Sequence, residues 1–143
     1  MADFDIDLSE LELFERDLEE FQKRYPAETR KLMQRSGNEA RKIVLRMARN
    51  KVKKKTGNYL KSIKRGKVWV EKVRQLYKVR VYTAAPHGHL IEYGHRIVGH
   101  EPEKPELGFA PGYHVFDTAG KEIEREWPRI IMEEFDRIMN EYF

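Results

Sequence analysis

Cysteine does not occur in this chain, which excludes disulfides, thiolate metal sites and thiol nucleophiles together. Long apolar runs are missing as well, and nothing approaches the roughly 20 consecutive apolar residues of a membrane-spanning helix. The stretch from Met1 to Glu20 is acidic and lacks the basic and apolar regions of a secretory signal. The expectation is a soluble protein that is not exported and does not enter a membrane. A glycine-rich phosphate loop, a Ser/His/Asp set, an HExxH pattern and carboxylates paired at a catalytic spacing are also absent. These absences point away from an enzyme, so no catalytic residue, metal ligand or cofactor is assigned.

What is present is charge, unevenly distributed. The chain has 143 residues, enough for one domain over 1–143, with 40% hydrophobic and 36% charged residues. The net charge of +4 conceals a segregation along the sequence. Residues 1–38 hold ten acids and six bases, whereas residues 39–70 hold one acid, Glu39, and twelve bases. The last stretch, 101–143, is acidic again. A positive middle between negative ends suits subunits that meet by charge complementarity, and it suits a nucleic-acid binder equally.

Periodicity outlines an α+β domain. Ser9 and Glu12 read as a capping box opening an N-terminal acidic helix within 1–25, with Leu11, Phe14, Leu18, Phe21 and Tyr25 on one face. Pro26 opens a second helix carrying Leu32, Ala40, Ile43, Val44 and Met47, with Gly37 as a weak point. Thr56 caps a short turn bearing Leu60 and Ile63. The period then changes to two: Val68 and Val70, then Tyr77, Val79 and Val81, predict a hairpin turning near Arg74–Leu76. Pro86 to Tyr93 reads as a short helix stopped by Gly94, residues 95–112 as a long mobile loop, and Tyr113–Phe116 as a third strand. Asp117 then caps a C-terminal helix with Ile123, Trp127, Ile130, Ile131, Phe135, Ile138 and Tyr142 inward, kinked or restarted at Pro128. The expected architecture is a small antiparallel sheet, the hairpin plus one or two further strands, packed against long N- and C-terminal helices.

Three groups carry chemistry. All five histidines, His87, His89, His95, His100 and His114, fall in one segment, but no metal-ligand spacing links them. Glu92, between Ile91 and Tyr93, is expected to be buried, so it needs partners: backbone amides of a nearby loop, a histidine or an arginine. The basic set Lys51, Lys53, Lys54, Lys55, Lys61, Lys64, Arg65 and Lys67 can contact either phosphates or an acidic neighbouring subunit. No helix-turn-helix, RNA-recognition or zinc-finger pattern accompanies it.

At Gly88–His95 the sequence resembles the phage tail-component family typified by HK97 gene product 10. Lys55-Thr56-Gly57-Asn58-Tyr59-Leu60-Lys61-Ser62 is similar to that family's T-G-x-L-x-x-S signature, with one residue more between glycine and leucine. Glu92, Tyr93, Gly94 and His95 match its E-[FY]-G-[TH] motif. Pro111, Gly112, Tyr113, His114, Val115 and Phe116 match a P-G-x-H-x-F stretch before the last helix. The resemblance spans roughly residues 25–143, and the acidic, proline-containing stretch Glu101–Glu106 departs from it. It implies a structural, non-enzymatic phage or prophage protein, made in the bacterial cytoplasm and resident in the neck or tail of the virion. It also implies tail completion or head–tail joining by a ring, expected to hold six copies. The implied partners are connector or head-completion proteins, tail-terminator or tail-tube proteins, and DNA in the channel. In that reading Thr56, Gly57, Leu60, Ser62, Glu92, Tyr93, Gly94 and His95 are fold and interface residues. The rival readings are a basic nucleic-acid-binding protein and, further off, a metal-dependent hydrolase built on the histidines.

Overall fold

The computed structural model describes residues 5–8, 15–52, 57–98 and 106–142. Pro26 organises the N-terminal half. It occupies the first position of α2 (Pro26–Lys51), where its missing N–H is no loss. Its ring also pushes the preceding Tyr25 out of helical backbone, to φ −129° and ψ 65°. The first helix, α1 (Glu15–Arg24), therefore stops one residue short of α2. The Tyr25 N–H donates to the Phe21 carbonyl (2.7 Å) and the Thr29 N–H to the Tyr25 carbonyl (2.9 Å), so the join is a kink of one residue.

Along α2 the buried residues Leu32, Met33, Ser36, Gly37, Ala40, Val44 and Ala48 recur at steps of three and four, many of them small. Gly37 has a positive use there. A Cβ at that position would lie 3.0 Å from Val79 Cγ2 and 3.0 Å from Arg65 Cδ. The helix thus gives up about 1 kcal/mol of propensity to let its backbone lie close on the sheet.

The centre of that sheet is β4 (Leu76–Thr83), whose residues alternate half-buried and buried, with Tyr77, Val79, Val81 and Thr83 inward. Two short strands run antiparallel along one edge, β2 (Ile63–Arg65) and β3 (Trp69–Glu71), in the registers Lys64↔Tyr82 and Val70↔Tyr77. Between them the Gly66 N–H still donates to the Arg80 carbonyl at 2.7 Å, so the two behave as one interrupted strand. The other edge pairs with β1 (Asp5–Leu8), Ile6 opposite Val81. The predicted hairpin is present, with Gln75 turning the chain at φ 56°.

The last helix, α5 (Val115–Tyr142), lies along α2 and contributes Ile123, Trp127, Ile130, Ile131 and Ile138 to the core. Phe21 of α1 meets Phe135 of α5 edge-on, ring centroids 5.1 Å apart. At the ends, Arg35 holds Glu141 with two bonds of 3.0 and 3.1 Å and Arg46 pairs with Glu122. Such exposed pairs set register more than they add stability. Long helices packed against a small antiparallel sheet are what the periodicity predicted.

The details depart from expectation at several places. Residues 95–112 are not a featureless loop: β5 (Gly94–Val98) and β6 (Glu106–Pro111) form a second, two-stranded sheet with an irregularity at Ile97/Val98. Its strands pair with each other rather than on the core, so no apolar alternation advertised them. Tyr113–Phe116 is not a strand, because the first turn of α5 begins at Val115. That helix also continues through Pro128 without a restart, the second of the two outcomes expected there. In α3 (Gly57–Ser62) the side chain sent to the core is Tyr59, with Leu60 only half-buried and Ile63 already in β2. The Ser9–Glu12 box, Leu11, Phe14 and the Thr56 cap lie outside the described residues.

Candidate functional site

Two of the three sequence motifs meet at the start of α5. A helix begins with N–H groups that have no partner within the helix, and here the partner is supplied from far away in sequence. Glu92, on α4 (Gly88–Tyr93), is 1% exposed. Its Oε1 accepts the Phe116 N–H at 2.9 Å and its Oε2 the Asp117 N–H at 3.0 Å. The carboxylate therefore caps α5 in place of Asp117, the residue expected to do so, and its charge sits at the positive end of the helix dipole. Two backbone bonds double the join: Tyr113 N–H to the Ile91 carbonyl (2.8 Å) and His114 N–H to the Glu92 carbonyl (3.1 Å).

Glycines allow this closeness. Gly94 has φ +88°, and a Cβ on it would stand 2.4 Å from the Ala110 carbonyl oxygen. A Cβ on Gly112 would stand 2.2 Å from the Glu92 carbonyl oxygen. The Glu92–Gly94 and Pro111–His114 segments are thus clasped backbone to backbone. Gly57 has no such constraint among the described residues, none of which lies within 4 Å of a Cβ added there. Its motif joins the cluster differently. Ser62 Oγ shares a hydrogen bond of 2.8 Å with Thr83 Oγ1, and the Ser62 carbonyl accepts the Ala84 N–H at 2.8 Å.

Tyr59 completes the cluster. Burial pushes its phenol well above the ordinary range, and the negative charge of Glu92 adds to the rise. Its hydroxyl is buried without a hydrogen-bond partner among the described residues. A buried donor left unmade is a cost, so Tyr59→Phe is expected to leave the protein as stable or about 1 kcal/mol more stable, read as the midpoint of urea unfolding. A marked loss would show that the hydroxyl has a partner after all.

Elsewhere the candidates scatter. Lys51 Nζ donates to Thr118 Oγ1 at 2.8 Å, tying α2 to α5. Arg65 Nε donates to Asn38 Oδ1 at 2.7 Å and its Nη1 to the Gly66 carbonyl at 2.9 Å. Lys61, Lys64 and Lys67 are exposed, and Lys53, Lys54 and Lys55 lie outside the described residues. The basic set therefore splits, part of it structural and part of it facing outward. His87, His89, His95 and His114 are exposed, and among the described residues no group of three or more His, Asp or Glu side chains gathers to hold a metal. Tyr93 is 53% exposed, its ring 6.5 Å from that of His114 in an edge arrangement.

A family model for the bacteriophage HK97-gp10 tail component matches residues 14–94, more than half of the chain and up to the glycine of the clasp. The protein belongs to that family. It is a structural component of a phage tail. No curated protein and no solved structure matches it significantly.

For this tail component, the matched region covers α2, the main sheet and the Glu92–Gly94 segment, but stops before α5. The partner half of the clasp, Pro111 to Asp117, lies beyond it. Sequence reasoning missed Gly112 as a residue defined by close approach, and the signal was its place in P-G-x-H-x-F. It also missed a cleft on the outer face of the main sheet, of about 640 Å³, lined by Gly66, Lys67, Trp69, Arg80 and Tyr82. In sequence those residues are merely the wet positions of two strands. Arg80 lies over the Trp69 ring, 5.2 Å from its centroid. Among the described residues no helix is long and apolar enough to cross a membrane.

Proposed function

We propose that this tail component is a tail-completion or head–tail joining protein, acting at the neck of the particle by assembling into a ring of six copies. The ring docks on connector or head-completion proteins on one side and on tail-terminator or tail-tube proteins on the other. The observation that carries the reading is the family match over residues 14–94. The fold supports it: the Glu92 clasp uses its polar groups to fix α4 to α5, a structural use. Outward-facing Lys61, Lys64 and Lys67 supply a positive surface for an acidic neighbour.

Disrupting the gene in the phage or prophage tests this. The expected lysate contains filled heads and separate tails, no joined infectious particles, and recovers when the protein is supplied in trans. Joined particles at normal yield from the disrupted phage would rule the role out. Quantitative mass spectrometry of purified particles should count six copies per particle.

A further inference from the structure

The molecule closes the edges of its main sheet. Along β2 the Ser62 carbonyl accepts the Ala84 N–H, and the Gly66 N–H donates to the Arg80 carbonyl. Backbone groups of the even-numbered residues therefore turn toward β4, and the Ile63 carbonyl points outward. That carbonyl accepts a hydrogen bond from Arg41 Nε at 2.8 Å, and the Val68 carbonyl, just before β3, accepts one from Arg30 Nη1 at 2.7 Å. Two arginines of α2 thus cover this edge. The other edge strand, β1, has only four residues, two of them aspartates. Shortness, charge and side-chain cover are devices that keep a sheet edge from pairing with another chain.

The β5–β6 hairpin lacks comparable cover. Residues 94–97 pair regularly with 108–111, ahead of the irregularity at Ile97/Val98. In those two stretches Arg96 is the one charged residue, and Pro111, at the root, is the one without an N–H. Among the described residues no third strand pairs with either edge, and two strands alone are marginally stable in water. The roots are nevertheless fixed, because Gly94 and Gly112 lie in the clasp. Arg96 and Phe109 stand directly opposite each other, hence on one face. Both are exposed, Phe109 by 59%.

We infer that the β6 edge of one copy pairs with the β5 edge of the next, antiparallel and in the hairpin's own register. The inference rests on the ring reading and specifies its contact. Rotation about a ring axis leaves the direction of each strand along that axis unchanged. The β6 of one copy therefore meets the β5 of its neighbour in the same antiparallel sense as within the hairpin. The occupant is a second copy because the open edges come as a pair, with strands of five and six residues. Further copies satisfy both edges at once, whereas a single foreign strand fills one and leaves the other bare. Repeated around the ring, the hairpins close into a barrel of alternating strands with no edge left. In that register each Phe109 ring lies between two Arg96 guanidinium groups, its own and that of the next copy, which are its electrostatic complement.

The chain contains no cysteine, so single introduced cysteines report the contact without background. His95 is opposite Ala110 within the hairpin, and in the inferred pairing it also stands opposite Ala110 of the next copy, within disulfide reach. Full-length His95→Cys and Ala110→Cys chains are purified separately, shown to be folded by circular dichroism and melting temperature, then mixed and oxidised. A disulfide-linked heterodimer is expected from the mixture, and at most traces of dimer from either variant alone. Either variant alone cross-linking as fully as the mixture means that like edges meet, which overturns the head-to-tail pairing. No cross-link in the mixture, while wild type sediments as an oligomer, overturns the hairpin contact and leaves a ring built on another surface. No cross-link together with a monomeric wild type overturns it too, and the ring itself is then judged by the copy number in particles. A cysteine-directed photo-cross-linker on His95→Cys chains in assembled particles covers the remaining occupant. Linkage there to a different protein rather than to a second copy also sinks the inference.

Discussion

Glu92→Ala is expected to cost about 3 kcal/mol of stability and to lower the melting temperature by roughly 10 °C. The carboxylate accepts two N–H groups of the first turn of α5, Phe116 and Asp117, from a position 1% exposed. Alanine leaves both donors without an acceptor where water has little access, and bonds to a charged acceptor are the stronger kind. It also removes a negative charge from the positive end of a 28-residue helix. Glu92→Gln should recover less than half of the loss. One amide oxygen can still accept, but the amide nitrogen then faces the second N–H, donor against donor. Thermal and urea unfolding give the magnitude, and amide exchange gives the mechanism. The Phe116 and Asp117 amides should exchange much faster in the alanine variant, while those of β4 change only with global stability. Unchanged protection at those two amides would mean that the cap does not hold the helix start.

That capping pair shows what the sequence could and could not convey. Glu92 between apolar neighbours was legible as a buried carboxylate in want of partners, and backbone amides were among the partners expected. Which amides could not be read, because they lie 24 and 25 residues away, at the end of a stretch, Tyr113–Phe116, whose own composition reads as strand, and on the residue after it. The cap supplied from α4 overrides that local preference and starts a helix there. The β3–β4 hairpin and the stripes of α2 and α5 were legible because each buries one regular face in the core. The β1 strand was legible in principle, since Asp5-Ile6-Asp7-Leu8 alternates. Four residues beside a capping signal are a weak pattern, however, and the strand is fixed by pairing with β4. The β5–β6 hairpin was hidden for the opposite reason: its strands pair only with each other and have no core to alternate against. The cleft required pairing before it existed, because Trp69 and Lys67 meet Arg80 and Tyr82 only once β3 and β4 are in register.

Gly112→Ala is expected to have the largest effect of any single methyl group added to this protein. The new Cβ would fall 2.2 Å from the Glu92 carbonyl oxygen, 2.5 Å from the Tyr93 carbonyl carbon and 2.6 Å from the Gly94 nitrogen. All three are backbone atoms, so no side-chain rotation relieves the contact and the two halves of the clasp must separate. Separation breaks the His114–Glu92 backbone bond and pulls Glu92 from its amides, so the loss should exceed about 4 kcal/mol, the range reserved for disrupted cores and networks. Gly94→Ala should approach it, combining a left-handed φ with a contact of 2.4 Å to the Ala110 oxygen. Two other glycines separate strain from collision. At Gly108, φ is +151° but none of the described residues lies within 4 Å of an added Cβ, so alanine should cost only backbone strain, about 1–3 kcal/mol. At Gly57 there is neither a positive φ nor a neighbour among the described residues, and alanine should be close to neutral. Melting temperatures of the four variants should therefore rank Gly57, Gly108, Gly94, Gly112 from least to most affected. A Gly112 variant as stable as the Gly108 one would mean that the clasp is not closed as described.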